Sequence, residues 1–138
     1  MLITITVEST ISSDIEKVWK LWTEPNHIKN WYYASDDWYA PNAENDLKVD
    51  GRFKISMSAK DKAAGFDFSG TYTAIVPLHL IDYTLDDGRK AVATFTKDGD
   101  TVKVTQTFEP ENENTHELQK NGWQSILNNF KKYVEAQK

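Results

Sequence analysis

From Trp123 onward the apolar positions fall at i, i+3, i+4, i+7 and i+11. Trp123, Ile126, Leu127, Phe130 and Val134 make one stripe along one helix face. Asn114 with Glu117 three residues on has the form of a capping box, which gives that helix a start. The pattern predicts a helix over roughly Thr115 to Ala136, about 33 Å long at ~1.5 Å per residue. At the other end of the chain the period is two. Ile3, Ile5 and Val7 alternate with Thr4, Thr6 and Glu8, so the opening MLITITVEST reads as a strand with one wet face. Ser13 and Glu16 then form a second capping box, and Ile15, Val18, Trp19 and Trp22 follow helical spacing. Pro25 ends this helix or begins the next. Ile28 and Trp31, three apart, suggest a short second helix over Asn26 to Tyr32. Tyr33 to Asp46 has no period and many turn formers, and reads as a loop that carries Trp38 and Tyr39.

Strands dominate the middle of the chain. Phe53, Ile55, Met57 and Ala59 alternate with Arg52, Lys54, Ser56, Ser58 and Lys60. Asp67 to Val76, His79 to Thr84, Ala91 to Lys97 and Thr101 to Glu109 are further strand candidates. Asp50-Gly51, Asp87-Gly88 and Asp98-Gly99 are pairs that tight hairpins favour, with glycine expected at the positive φ. Pro77 interrupts the chain between two strands. The predicted class is α+β: one curved antiparallel sheet of about six or seven strands, two short helices after the first strand, and a long carboxy-terminal helix. A bulky helix stripe needs a sheet to lie on, and a sheet curling around it leaves a gap. Function is expected there.

Length and composition narrow the field. The 138 residues suit one domain with a substantial core. Apolar residues at 39% and charged residues at 27% fit a globular chain, and no run approaches a membrane span. The amino terminus lacks the order of a signal peptide and cysteine is absent, so a cytoplasmic setting is the default expectation. A net charge of −5 with no basic run argues against nucleic acid as a partner. Five tryptophans supply large apolar walls.

Four segments carry a resemblance: DIEKVWKLWTEPNHIKNWY, DLKVDGRFKISMSAKD, FSGTYTAIVPLHLIDYTLDDGR and the tail GWQSILNNFKKYVE. In this order and spacing they resemble homologues of the activator of heat-shock protein 90 ATPase, within the START and birch-pollen-allergen superfamily. The resemblance implies a helix-grip fold, a curved sheet gripping the last helix around an apolar cavity. Family members often show Gly-Gly where this chain has Asp50-Gly51. The family name implies a chaperone as an alternative partner.

The candidate ligand-binding residues are Trp31, Trp38, Tyr39, Phe53, Ile55, Met57, Phe68, Gln106, Trp123, Leu127 and Phe130. Trp123, Leu127 and Phe130 serve equally as ordinary core or as one wall of a cavity. Trp31, Trp38 and Tyr39 either pin the irregular loop to the body or rim the cavity mouth, where Phe66 and Phe68 also start a strand. Gln106 interrupts the alternate set Val102, Val104, Phe108; facing inward, its amide needs a backbone group, a water, or a ligand carbonyl or hydroxyl. Gly122 within the helix costs about 1 kcal/mol relative to Ala. Close packing of a strand or loop is the expected reason, and space for a ligand is the alternative.

His27, His79 and His116 sit on separate elements without ligand spacing, so no metal and no cofactor are expected. Asp36-Asp37 and Asp86-Asp87 read as solvated turns, and no nucleophile–base arrangement or phosphate-cradling loop is present. The apparent inward positions carry almost no ionisable groups. The expected function is binding of a small hydrophobic or aromatic molecule by a monomer or weak dimer, without catalysis. The alternatives are a co-chaperone-like interaction domain and a cavity-based cyclase or hydrolase.

Overall fold

The computed structural model describes residues 3–137. The parts of the expected first strand on Met1 and Leu2, and Lys138, lie outside the described residues. Seven strands form one antiparallel sheet: β1 (Ile5–Ile11), β2 (Trp38–Asn45), β3 (Arg52–Ala59), β4 (Gly65–Val76), β5 (Leu80–Leu85), β6 (Lys90–Asp98) and β7 (Thr101–Phe108). The spatial order is β1-β7-β6-β5-β4-β3-β2. A six-strand meander is thus closed on one side by the first strand. Helices α1 (Ile15–Thr23) and α2 (Pro25–Ile28) bridge β1 to β2, and α3 (His116–Ala136) packs along the curled sheet. This is the helix-grip arrangement.

Alternation fixes which face is dry. Phe53, Ile55 and Met57 of β3, Ile81, Tyr83 and Leu85 of β5, Ala91, Ala93 and Phe95 of β6, and Val102, Val104 and Phe108 of β7 are all buried. Their neighbours Arg52, Lys54, Thr96 and Lys103 are exposed. Against this face α3 sets Leu127, Phe130 and Val134, each with no exposed surface. Full burial of such side chains stabilises by about 1.5–3 kcal/mol each. The same helix protects the free edge of β1. Gln124 Nε2 donates to the Glu8 carbonyl at 3.0 Å, Lys131 Nζ to the Thr10 carbonyl at 2.7 Å, and the Ser12 N–H donates to Glu135 at 2.8 Å. Edge groups that would otherwise invite another strand are occupied.

Several expectations need correcting. Both helices start one residue later than the capping boxes implied. Asp14 caps α1 by accepting from the Lys17 N–H at 2.7 Å, and Thr115 caps α3 by accepting from the Leu118 N–H at 3.1 Å. Pro25 is the first residue of α2, which has only four residues and ends at Ile28. The segment read as a loop contains β2. Pro41 hides the strand from sequence, but β2 is a sheet edge and its register shifts between Tyr39 and Asn42, where a proline is tolerated. Gly88 and Gly99 take φ of +94° and +59° as hairpin glycines should. At Asp50-Gly51 the aspartate takes the positive φ, +68°. Gly51 is needed for closeness, since a Cβ there would lie 2.1 Å from the Asp46 carbonyl oxygen.

Candidate functional site

Between α3 and the end of the sheet formed by β3 and β4 lies a cavity of about 400 Å³. Its apolar walls are Tyr32, Trp38, Met57, Phe66, Phe68, Trp123 and Ile126. Ala34, Ser35, Phe66, Asn114 and Leu118 are exposed and surround its mouth. Phe66 and Leu118 are 54% and 58% exposed, so the mouth has an apolar lip. The inner wall is polar at Gln106 and Gln119.

The rings are in mutual contact. Trp123 stacks on Phe108 with centroids 3.8 Å apart and planes 8° from parallel. Phe68 meets Trp123 at 5.8 Å and 81°, Tyr32 at 5.7 Å and Phe53 at 5.8 Å. Trp38 meets Phe66 at 5.7 Å. Such pairs fix one another's orientation, and each contributes about 0.5–1.5 kcal/mol beyond area burial. The wall is set before any ligand arrives.

A rear cavity of about 40 Å³ lies deeper, lined by Phe53, Ile55, Tyr72 and Tyr83 among others. Tyr32, Phe68 and Gln106 line both spaces and form the partition between them. Gln106 is 3% exposed and sits between Val7 of β1 and Ala93 of β6, so it faces inward as the alternation implied. Its amide is near enough to the Tyr83 hydroxyl to favour the phenolate, but burial is the larger effect and Tyr83 is pushed well above the usual phenol range. Gln106 also lines both cavities, so it borders open space on either side. Burial also raises Tyr32 and Tyr72. Tyr72 is engaged elsewhere, donating to Asn45 Oδ1.

The eleven candidates divide three ways. Trp38, Met57, Phe68, Gln106 and Trp123 come together around the main cavity. Trp31, Phe53 and Ile55 line the rear one. Tyr39, Leu127 and Phe130 line neither. Trp31 is 1% exposed, donates its indole N–H to the Leu21 carbonyl at 3.1 Å, and packs against Trp22 and Phe130 at 5.0 and 4.6 Å. It is a core residue that borders the rear cavity, not part of the mouth of the main one. Tyr39 sits on the opposite face of β2 from Trp38, bonded to Lys62, whose ammonium lies 4.4 Å from the ring centre. Leu127 and Phe130 belong to the packed half of α3.

Sequence reasoning missed several lining residues. Gln119 was invisible because its role is a loop clamp. Its Nε2 donates to the carbonyls of Glu111 and Asn114, and its Oε1 accepts from the Glu111 N–H. Arg89 and Glu111 place charge at one end of the cavity, contrary to the expectation of a nearly neutral interior. Arg89 continues the inward parity of Ala91, which could have revealed it. Both are occupied: Arg89 bonds Asp87 at 2.7 Å, and Glu111 accepts from the N–H groups of Glu113 and Asn114. Among the described residues no group of three or more His, Cys, Asp or Glu side chains could hold a metal ion.

The expected reason for Gly122 is also overturned. A Cβ built there meets nothing within 4 Å. The residue opens onto the cavity and no strand or loop approaches it.

Residues 12–135 match the family described as activator of Hsp90 ATPase homolog 1-like protein. The chain belongs to that family. It is similar to the AHSA1-like protein of Aeromonas hydrophila at 42% identity, with a TM-score of 0.91 over 97% of this chain and 93% of that one. A solved protein of Cytophaga hutchinsonii is 51% identical, with a TM-score of 0.83 over 96% and 92%. One from Chromobacterium violaceum shares the fold at 22% identity and a TM-score of 0.86 over 98% and 99%. No curated protein matches. Among the described residues of this AHSA1-like chain, no helix is long and apolar enough to cross a membrane.

Proposed function

We propose that this AHSA1-like chain binds a small, flat, predominantly apolar molecule in the cavity between α3 and the β3–β4 end of the sheet. The observation that carries this reading is a ring-lined space of about 400 Å³ with a buried amide, Gln106, on its inner wall. Pockets of this size and lining are typical of small-molecule sites, where a few polar groups fix orientation. Gln106 would receive a ligand carbonyl or hydroxyl. Tyr83, kept neutral by burial, serves as a further hydroxyl partner behind it.

The test is a thermal-shift and tryptophan-fluorescence screen of neutral aromatic compounds. A ligand present at about a hundred times its Kd adds about 2.7 kcal/mol to stability. Trp38 and Trp123 line the cavity, so binding should change their emission. If a broad set shifts neither signal, the cavity is not a ligand site. A co-chaperone role, suggested by the family's description, would then gain weight if the protein stimulates a chaperone ATPase. The outer sheet face offers that role little apolar surface: Thr6 bonds Thr107, and Lys103 pairs with Glu8.

A further inference from the structure

Helix α3 presents two stripes. Leu127, Phe130 and Val134 are fully buried against the sheet, while Leu118, Gln119, Gly122, Trp123 and Ile126 line the cavity. Gly122 is the weak point of the second stripe. Its φ is not in the left-handed region, and a Cβ placed on it would touch nothing within 4 Å. Neither backbone conformation nor packing therefore requires a glycine there. Alanine would fit and would make a better helix. What glycine preserves at this position is open space in the cavity wall, in the stripe that carries Leu118, Trp123 and Ile126.

We infer that Gly122 is the size-determining residue of the cavity, and that an aromatic ligand lies directly against the bare backbone of α3 there. The inference rests on the proposed binding function and adds to it where the bulk of the ligand sits. Any side chain at position 122 occupies that space, so stability and binding must move in opposite directions on substitution. A purely structural residue would lose both together. A solvent-facing one would change stability alone.

The test uses the full chain, N-phenyl-1-naphthylamine as a neutral aromatic probe, and the variants Gly122→Ala, Gly122→Leu and Asn121→Leu. Asn121 is exposed, so its leucine alters helix propensity without entering the cavity. Gly122→Ala should raise the Tm by about 3–5 °C and weaken probe binding several-fold. Gly122→Leu should weaken binding by tenfold or more while the protein still melts cooperatively. Asn121→Leu should bind within twofold of the parent. If the parent binds and Gly122→Leu binds equally well, the inference is overturned and the binding function stands. If the parent itself binds no probe and no other neutral aromatic, the binding function fails and this inference with it. A fall in Tm for Gly122→Ala would show that the glycine is structural, and would overturn the inference on its own.

Discussion

Gln106 is the residue whose placement says most about the cavity. It is the only polar member of the buried set Val102, Val104, Gln106 and Phe108 on β7. Removing one partner of a true buried hydrogen bond leaves an orphan that costs about 1–3 kcal/mol. Gln106 has open space on both sides and the Tyr83 hydroxyl as a neighbour, and Tyr83 itself borders the rear cavity. Gln106→Leu should therefore fold with stability within about 1 kcal/mol of the parent, measured by urea denaturation. It should weaken ligands bearing a carbonyl or hydroxyl more than it weakens their hydrocarbon analogues. A stability loss of the full orphan size would make the Tyr83 contact a structural bond. This residue was legible in the sequence because strand alternation is rigid: a polar residue in phase with valines must face where they face. Arg89 obeys the same rule, in phase with Ala91 and Ala93, but it lies before the strand proper, where alternation is harder to extend. Gln119 carried no such signal, since its three bonds go to a loop whose path only the fold determines.

At the scale of elements, α3 and β2 show what periodicity reports and what it cannot. The apolar stripe located α3 to within a residue at its start, yet it ran core and cavity wall together, because 3.6-residue spacing records only that a face is dry. The structure divides them. Phe130, with no exposed surface and packed on Trp22 and Trp31, should cost about 3–5 kcal/mol when replaced by Ala. Trp123, partly exposed and stacked on Phe108, should cost less as Trp123→Ala while removing most of the ligand-induced fluorescence change. Calorimetry on the two variants decides; the reverse order of stability would mean that Trp123 is the true core residue. β2 is hidden in the sequence for a different reason. An edge strand needs only one hydrogen-bonding partner and tolerates Pro41 at a register shift, so its sequence is free to look like a loop. The capping errors share a cause: Asp14 and Thr115 are cap formers adjacent to other cap formers, and local sequence does not choose between neighbours.

Across the whole molecule, charge and burial set opposite limits on the pH range of stability. On the convex face Arg52 forks onto Asp86 with two contacts of 2.8 Å, and Ser69 adds a third at 2.6 Å. The Arg52 hydrogen bonds, with Ser69, hold the Asp86 carboxyl down at about 2, against 3.8 for a free side chain. A folded-state pKa depressed in this way contributes stability that is complete above about pH 4 and lost as pH falls toward 2. The group is fully exposed, so salt should weaken the effect, and Asp86→Asn should flatten that part of the acid limb. The alkaline limit comes from the interior. Burial raises the phenols of Tyr32, Tyr72 and Tyr83 above their ordinary value of 10.0. A raised folded-state pKa means that their contribution is intact below pH 10 and declines as pH climbs further, because the unfolded chain ionises first. Tyr39 behaves oppositely at the surface, where its hydrogen bond from Lys62 lowers it. A phenolate absorbance titration should therefore show Tyr39 ionising early, and the three buried phenols silent until the protein unfolds cooperatively. A ligand in the cavity should move that unfolding step to higher pH while leaving the early Tyr39 signal in place. If Tyr32 or Tyr83 ionises reversibly in the folded protein, water reaches the rear of the cavity freely, and Gln106 no longer stands at a dry partition.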